Sequence, residues 1–251
     1  MISFSLQSGS NGNSIYVETT DARLLFDAGI SGRQAQLRMA HHGRDIRKVQ
    51  ALIISHDHND HVRCAGIYQR KFGLPIYITR RTLGAAGDLG PTSELRNFDS
   101  GGTLRFGRTK VHTLRTPHDG ADGLAFVIEN GRKRLGIFTD LGHVFAELPE
   151  WLKSVDAAFL ESNYDPQLLQ TGDYPAWLKQ RIAGAGGHLS NLEAAKLARR
   201  CSRRLKTLAL AHLSEHNNTP QLALKLAQTQ AGGRYQVTLA PRYAPGPILE
   251  V

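Results

Sequence analysis

The stretch Ala51-Leu-Ile-Ile-Ser-His-Asp-His-Asn-Asp-His61 runs from an apolar strand straight into a cluster of metal-ligand side chains. His56, His58, Asp60 and His61 fall within six residues, a dense set of nitrogen and oxygen donors. They follow Ala51-Leu-Ile-Ile-Ser55, so they sit in the turn where a strand ends and the backbone is held firmly.

Working outward, the same pattern recurs three times. The strand-like run Lys110-Val-His-Thr-Leu leads to His118, Leu135-Gly-Ile-Phe-Thr leads to Asp140, and Thr207-Leu-Ala-Leu-Ala leads to His212. A strand-end histidine taken singly is more often structural than functional. Four strands delivering His56, His58, Asp60, His61, His118, Asp140 and His212 toward one sheet edge call for metal. That set exceeds what one zinc ion uses, so two divalent ions are expected. Zinc and manganese both suit such donors.

Around these runs the chain alternates short β-branched segments with helical ones, which reads as an α/β protein with mixed sheets. Glu129-Asn-Gly-Arg132 signals a hairpin. Helices are expected over residues 33–48 and 61–72. Ser190-Asn-Leu-Glu193 matches a capping box opening a helix to about Leu205, with Leu192, Ala195, Ala198, Cys201 and Leu205 on its core face. Thr219-Pro220 opens another, to about Gln230.

The 251 residues are enough for a sizeable core, and no apolar run approaches the roughly 20 residues that span a bilayer. The N-terminal Met1-Ile-Ser-Phe-Ser-Leu-Gln7 reads as a strand rather than a secretion signal, so a cytoplasmic location is expected. Cys64 and Cys201, far apart, read as free thiols. The formal net charge of +9 favours polyanionic partners, nucleic acid foremost.

The ligand spacing resembles the metallo-β-lactamase superfamily, whose signature is His-x-His-x-Asp-His followed by a His, an Asp and a His. The resemblance covers essentially the whole chain. It implies an αββα four-layer sandwich of two mixed β-sheets, with residues 1–251 forming a single domain. It also implies that His56, His58 and His118 hold one ion, that Asp60, His61 and His212 hold the other, and that Asp140 lies between. Ser55 stands where the superfamily often has Thr.

Within the superfamily, true β-lactamases are secreted and commonly carry Cys at the place of Asp140. The β-CASP nucleases insert a domain for which the stretch from Asp140 to His212 is too short. Ribonuclease Z carries a Gly/Pro-rich arm that is missing here. Ser8-Gly-Ser-Asn-Gly-Asn-Ser14, Thr139-Asp-Leu-Gly-His143, Glu161-Ser-Asn-Tyr-Asp165, Gly187-His-Leu-Ser-Asn191 and His212-Leu-Ser-Glu-His-Asn-Asn-Thr-Pro220 together resemble the YycJ/WalJ-type branch. That branch is linked to 5′→3′ exonuclease activity on DNA. Tyr164 departs from the His expected there.

The resemblance therefore implies a two-metal phosphodiesterase using a metal-activated hydroxide, with Asp60 catalytic as well as ligating. The turn Gly186-Gly-His-Leu-Ser-Asn191 runs into a helix N-terminus, a ready anion site. His188, Ser190 and Asn191 are the expected phosphate contacts there, with His188 also a donor of a proton to the leaving oxygen. Arg199 and Arg203, beside Lys196, Arg200, Arg204 and Lys206, form either a solvated face or a stripe along a nucleic-acid backbone. The alternative is a small-molecule hydrolase, either a cyclic-phosphate diesterase or a glyoxalase II-like thioesterase. His41, His42 and His112 read as structural or surface residues, and His143 and His216 as possible outer supports of the site.

Overall fold

Strands that are apolar at consecutive positions need cover on both faces. The computed structural model of the chain, which describes residues 1–200 and 203–251, supplies that cover. The first half contains β1 (Ile2–Gln7), β2 (Ser14–Glu18), β3 (Arg23–Phe26), α1 (Gly32–His41), β4 (Ala51–Ile53), α2 (Asn59–Val62), α3 (Ala65–Phe72), β5 (Ile76–Ile78), α4 (Arg80–Ala85) and β6 (Leu95–Asn97). The second half opens with β7 (Thr103–Phe106), β8 (Thr109–Arg115), β9 (Leu124–Asn130), β10 (Lys133–Phe138), α5 (Leu148–Lys153) and β11 (Ala157–Glu161). It continues through α6 (Pro166–Thr171), α7 (Ala176–Ala183), α8 (Asn191–Arg200), β12 (Thr207–Ala211), α9 (Pro220–Ala231), β13 (Gln236–Leu239) and β14 (Leu249–Glu250).

Two seven-stranded sheets result, ordered β14-β1-β2-β3-β4-β5-β6 and β13-β12-β11-β10-β9-β8-β7. Both mix parallel and antiparallel pairs. Strand alternation sorts the side chains into three cores. Leu24, Phe26, Ile53, Phe126, Ile137 and Phe159 meet between the sheets. Leu25, Leu52 and Ile54 point the other way, onto Ala35 and Met39 of α1 and Tyr68 of α3. Ala158, Leu160, Leu208 and Leu210 pack on Leu152, Leu197 and Ala227 of the opposite helical layer. This is the expected αββα sandwich.

Several elements differ from the sequence expectation for local reasons. The helix expected over 33–48 ends at His41, because Gly43 turns into the left-handed region (φ 67°), and Ile46–Lys48 form a separate 3₁₀ turn. The segment expected as one helix over 61–72 splits into α2 and α3. On α8 the capping box forms as read: Glu193 N–H donates to Ser190 Oγ (3.2 Å), and Ser190 N–H donates to Glu193 Oε2 (2.9 Å). Leu192, however, is 39% exposed, and Ala194, Ala195, Leu197 and Ala198 make the core face. Cys201, read as a free thiol on that face, lies outside the described residues; Cys64 is a buried free thiol. Among the described residues, no helix is long and apolar enough to cross a membrane.

Phe159 lies between the sheets at 1% exposure, so Phe159→Ala removes contacts from both at once. We expect a loss of about 3–5 kcal/mol, read as a lower urea midpoint.

Candidate metal centre

Strand direction decides which side chains meet. β3 and β4 are parallel, as are β10, β11 and β12. β8 runs the same way as β10, since both are antiparallel to β9. The C-terminal ends of these strands therefore lie along one edge of the sandwich. The residues reached at that edge include Asp27, His56, His118, Asp140, Glu161 and His212. Among the described residues, Asp27, Asp140 and His212 are the non-glycine positions with positive φ (64°, 55° and 55°). Strained backbone of this kind persists where surrounding structure over-determines it, and here it coincides with the site.

The structure brings together all seven side chains read from the sequence as ligands. Donor atoms of His56, His58 and His118 fall within 4.8 Å of one another, as do those of Asp60, His61 and His212, and those of His56, His61 and Asp140. Asp140 faces both groups: Oδ2 is 3.2 Å from His61 Nε2, and Oδ1 is 3.4 Å from His212 Nε2 and 3.8 Å from His118 Nε2. His118 Nε2 and His58 Nδ1 stand 3.2 Å apart.

Outer hydrogen bonds turn these atoms inward, and most of them come from residues the sequence reading did not assign. Asp27 Oδ1 accepts the Ser55 N–H (2.8 Å), while Oδ2 accepts Ser55 Oγ–H (2.9 Å) and faces His61 Nδ1 (2.8 Å). The Ser55 hydroxyl proton is thus committed to Asp27, so its lone pair is open to His56 Nδ1–H, 2.9 Å away. His118 Nδ1 faces the Gly187 carbonyl (2.8 Å). Each arrangement leaves Nε2 of His56, His61 and His118 as the lone-pair atom, the usual support of a metal-binding imidazole. Asn13 Nδ2 donates to Asp60 Oδ2 (3.1 Å). Glu161, fully buried, faces His188 Nδ1 through Oε1 (2.6 Å) and accepts the Leu141 N–H through Oε2 (3.0 Å). Asp27 and Glu161 carried the signal already used for Asp140, an apolar strand ending on a carboxylate.

The electrostatics fit a cation. His56 Nε2 and Asp140 Oδ2 are buried with no protein hydrogen-bond partner. An orphaned lone pair in that setting costs about 1–3 kcal/mol unless something electropositive meets it. Burial opposes the charged form of His61, yet the carboxylates of Asp140, Asp27 and Asp60 push its pKa well above the usual range, so this ring would have to give up a proton before Nε2 could meet a cation. Burial likewise opposes ionisation of Asp60, and His61 and His212 nonetheless hold its carboxyl well below the usual range. Asp140 is depressed in the same way by His212 and His61. Burial, with His61 adding to it, pushes His56 well down, leaving it neutral as a ligand must be.

The other expected residues divide. His188 stands at the cleft, its ring 4.9 Å from that of His118 and 5.1 Å from that of His212. Ser190 and Asn191, expected to touch phosphate, are buried and paired within the protein. The Ser190 hydroxyl bonds Glu193, and the Asn191 amide joins Ser162 and Asn218. Arg199 and Arg203 are exposed, but α8 runs away from the edge. Arg204, just beyond, bonds Asp156 (2.9 Å), at the start of β11, and Glu161 at its other end is the residue that reaches the site. The basic stripe therefore lies toward the opposite edge of the molecule. His143 Nδ1 faces the Ala185 carbonyl (2.8 Å), tying its loop to the segment after α7. His216 is exposed, its ring 5.7 Å from Tyr174. Tyr164 is buried, and its carbonyl accepts the Asn191 N–H that opens α8 (2.8 Å). His42 packs on Phe4 (4.3 Å between rings) and His112 on Trp151 (5.7 Å), both away from the cluster.

The model of the β-lactamase superfamily domain matches residues 22–212. The chain belongs to the metallo-β-lactamase superfamily. It is 34% identical over 223 residues to exodeoxyribonuclease YycJ of Bacillus anthracis, covering 87% of this chain and 84% of that one. It is also 34% identical over 224 residues to exodeoxyribonuclease WalJ of Streptococcus pneumoniae, covering 87% and 83%. The fold matches the metallo-β-lactamase fold protein YhfI of Bacillus subtilis with a TM-score of 0.76 at 19% identity, over 100% of this chain and 99% of that one. Divalent-metal binding is a property of this superfamily that the His/Asp clusters here suit.

Asp27→Asn would replace one acceptor oxygen with a donor in front of Ser55 and His61. Metal affinity should fall about 10–100-fold, measured by competition with a chelator, with the fold retained.

Proposed function

We propose that the chain is a dinuclear-metal DNA exonuclease of 5′→3′ polarity that acts in the cytoplasm. What carries this reading is the complete, inward-turned ligand set in a chain 34% identical over most of its length to proteins named exodeoxyribonucleases. The polarity rests on the likeness to the YycJ/WalJ-type branch. The basic helix does not contribute, because it lies away from the cleft.

In this reading His56, His58 and His118 would hold one ion, Asp60, His61 and His212 the other, and Asp140 would serve both. Zinc and manganese both suit the donors. When bound, the ions supply Lewis acidity toward the phosphodiester and make water a nucleophile near neutral pH.

The chain's own groups account for orientation and proton movement. Asp60, ionised and steadied by Asn13, is placed to accept a hydrogen bond from the attacking water. His188 directs Nδ1 into Glu161, which leaves Nε2 to face the cleft. Burial works against a charged His188, yet the Glu161 carboxylate raises its pKa, so it holds a proton to give to the leaving oxygen. Of His188, Ser190 and Asn191, all read as phosphate contacts, His188 alone keeps that role in this proposal, since the other two are buried and paired within the protein.

Elemental analysis should find about two metal equivalents per chain. A linear DNA labelled at its 5′ end should release labelled product at once, while a 3′ label should remain in long fragments until late. Release from the 3′ end first, or a preference for RNA, would overturn the assignment. Asp140→Ala should cut DNA turnover by orders of magnitude with the circular-dichroism spectrum unchanged. His188→Ala should slow DNA hydrolysis about 10²–10⁴-fold at saturation, and slow a nitrophenyl phosphodiester much less, since that leaving group needs no proton.

A further inference from the structure

Helix α7 stands apart from the other helices of the sandwich. None of its residues is buried, so the sandwich core gives it no reason to be where it is. It is nonetheless fixed against the metal centre. Its Ile182 carbonyl accepts the His188 N–H (2.9 Å), and a Cβ at Gly187 would overlap that same carbonyl. Arg181 Nε donates to Asp119 Oδ2 (2.7 Å), and Asp119 Oδ1 lies 3.5 Å from both His58 Nε2 and His118 Nε2. Leu178, Arg181 and Ile182, with Tyr174 just before the helix, form one wall of the cleft of about 330 Å³ that holds Asp60, His188 and His212.

Beside this wall, on the same helix and next to Leu178, is Trp177, 66% exposed. Tryptophan is highly buried on average, and an exposed one bordering a site calls for a ligand-side explanation. Residues four apart on a helix are neighbours, with Cβ atoms about 5–6 Å apart, so Trp177 and the cleft-lining Arg181 share a face. Trp177 is therefore one helical turn from a residue that lines the cleft.

Building on the exonuclease reading above, we propose that α7 is a base-stacking platform for single-stranded DNA. Trp177 carries a nucleobase next to the phosphate held in the metal cleft. The occupant follows from continuity with that cleft and from chemistry. Every base has a flat π-face, so stacking on indole binds any sequence, which is what an exonuclease that travels along a strand requires. The net charge of +9 favours the same polyanion. Because α7 is bonded to His188, the platform also holds the strand in a fixed relation to that ring.

The test uses the metal-loaded full chain carrying Trp151→Phe, which leaves Trp177 as its only tryptophan. Phosphorothioate-linked oligodeoxythymidylate should quench its fluorescence, and an abasic deoxyribose-phosphate oligomer of equal length should not. Trp177→Ala should raise KM for single-stranded DNA about five- to a hundred-fold while keeping kcat, and Trp177→Phe should restore most of the difference. Equal quenching by the abasic oligomer overturns the proposal. So does an unchanged KM for Trp177→Ala in an enzyme that degrades DNA, a result that leaves the exonuclease reading standing. A shift in the oligomeric state of Trp177→Ala with unchanged KM would assign the indole to self-association and also overturn it. A wild-type chain inert on DNA removes both readings.

Discussion

Five imidazoles and two carboxylates crowd one edge of the sandwich, with ring nitrogens as close as 3.2 Å and two buried polar atoms lacking any protein partner. Lone pairs so placed repel one another, and the low dielectric of a buried site strengthens that repulsion. The remainder of the molecule is arranged to keep them converged. Asp27 and Ser55 fix the rings of His61 and His56, the Gly187 carbonyl fixes His118, and the backbone at Asp27, Asp140 and His212 is held in the left-handed region. Divalent metal is the partner that would turn this repulsion into binding energy.

The architecture follows from the same requirement. Ligands must come from several strands, and those strands must point the same way. β10 and β12 do so through parallel pairing with β11, β8 through two antiparallel steps across β9, and β4 through parallel pairing with β3 in the other sheet, with the two sheets joined by a core of Phe26, Phe126 and Phe159. Strand ends are rigid because both faces of each strand are covered. Loops alone would not hold imidazoles and carboxylates to the fraction of an ångström that coordination requires.

Glu161 and His188 extend the cluster into the cleft, and α7 closes one side of it. The two are mechanically joined, since the Ile182 carbonyl is bonded to the His188 backbone. A change in how α7 lies would be felt at His188. Charge at the cleft is handled locally by Arg181 and Asp119 rather than by the basic residues of α8, which stand toward the opposite edge.

Much of this was legible in the chain itself. The convergence of His56, His58, Asp60, His61, His118, Asp140 and His212 was, because a strand must end at a turn, and a histidine or aspartate placed there repeatedly has few other uses. The sandwich was, because runs such as Ala51-Leu-Ile-Ile54 are apolar at every position and need two covered faces. The Ser190–Glu193 cap was, because it depends on a spacing of three residues. Other features depended on where the chain travels in space. Gly43 ended a helix by its backbone angle. Ser190 and Asn191 turned inward because Glu193, Ser162 and Asn218 were there to bond them. Arg199 and Arg203 moved out of reach because α8 runs back toward the start of β11. Asp27 and Glu161 are far in sequence from the rings they orient, His61 and His188. Contacts with neighbours in sequence are set by the chain's own periodicity. Contacts across long separations exist only once the two sheets have packed, so tertiary structure alone decides them.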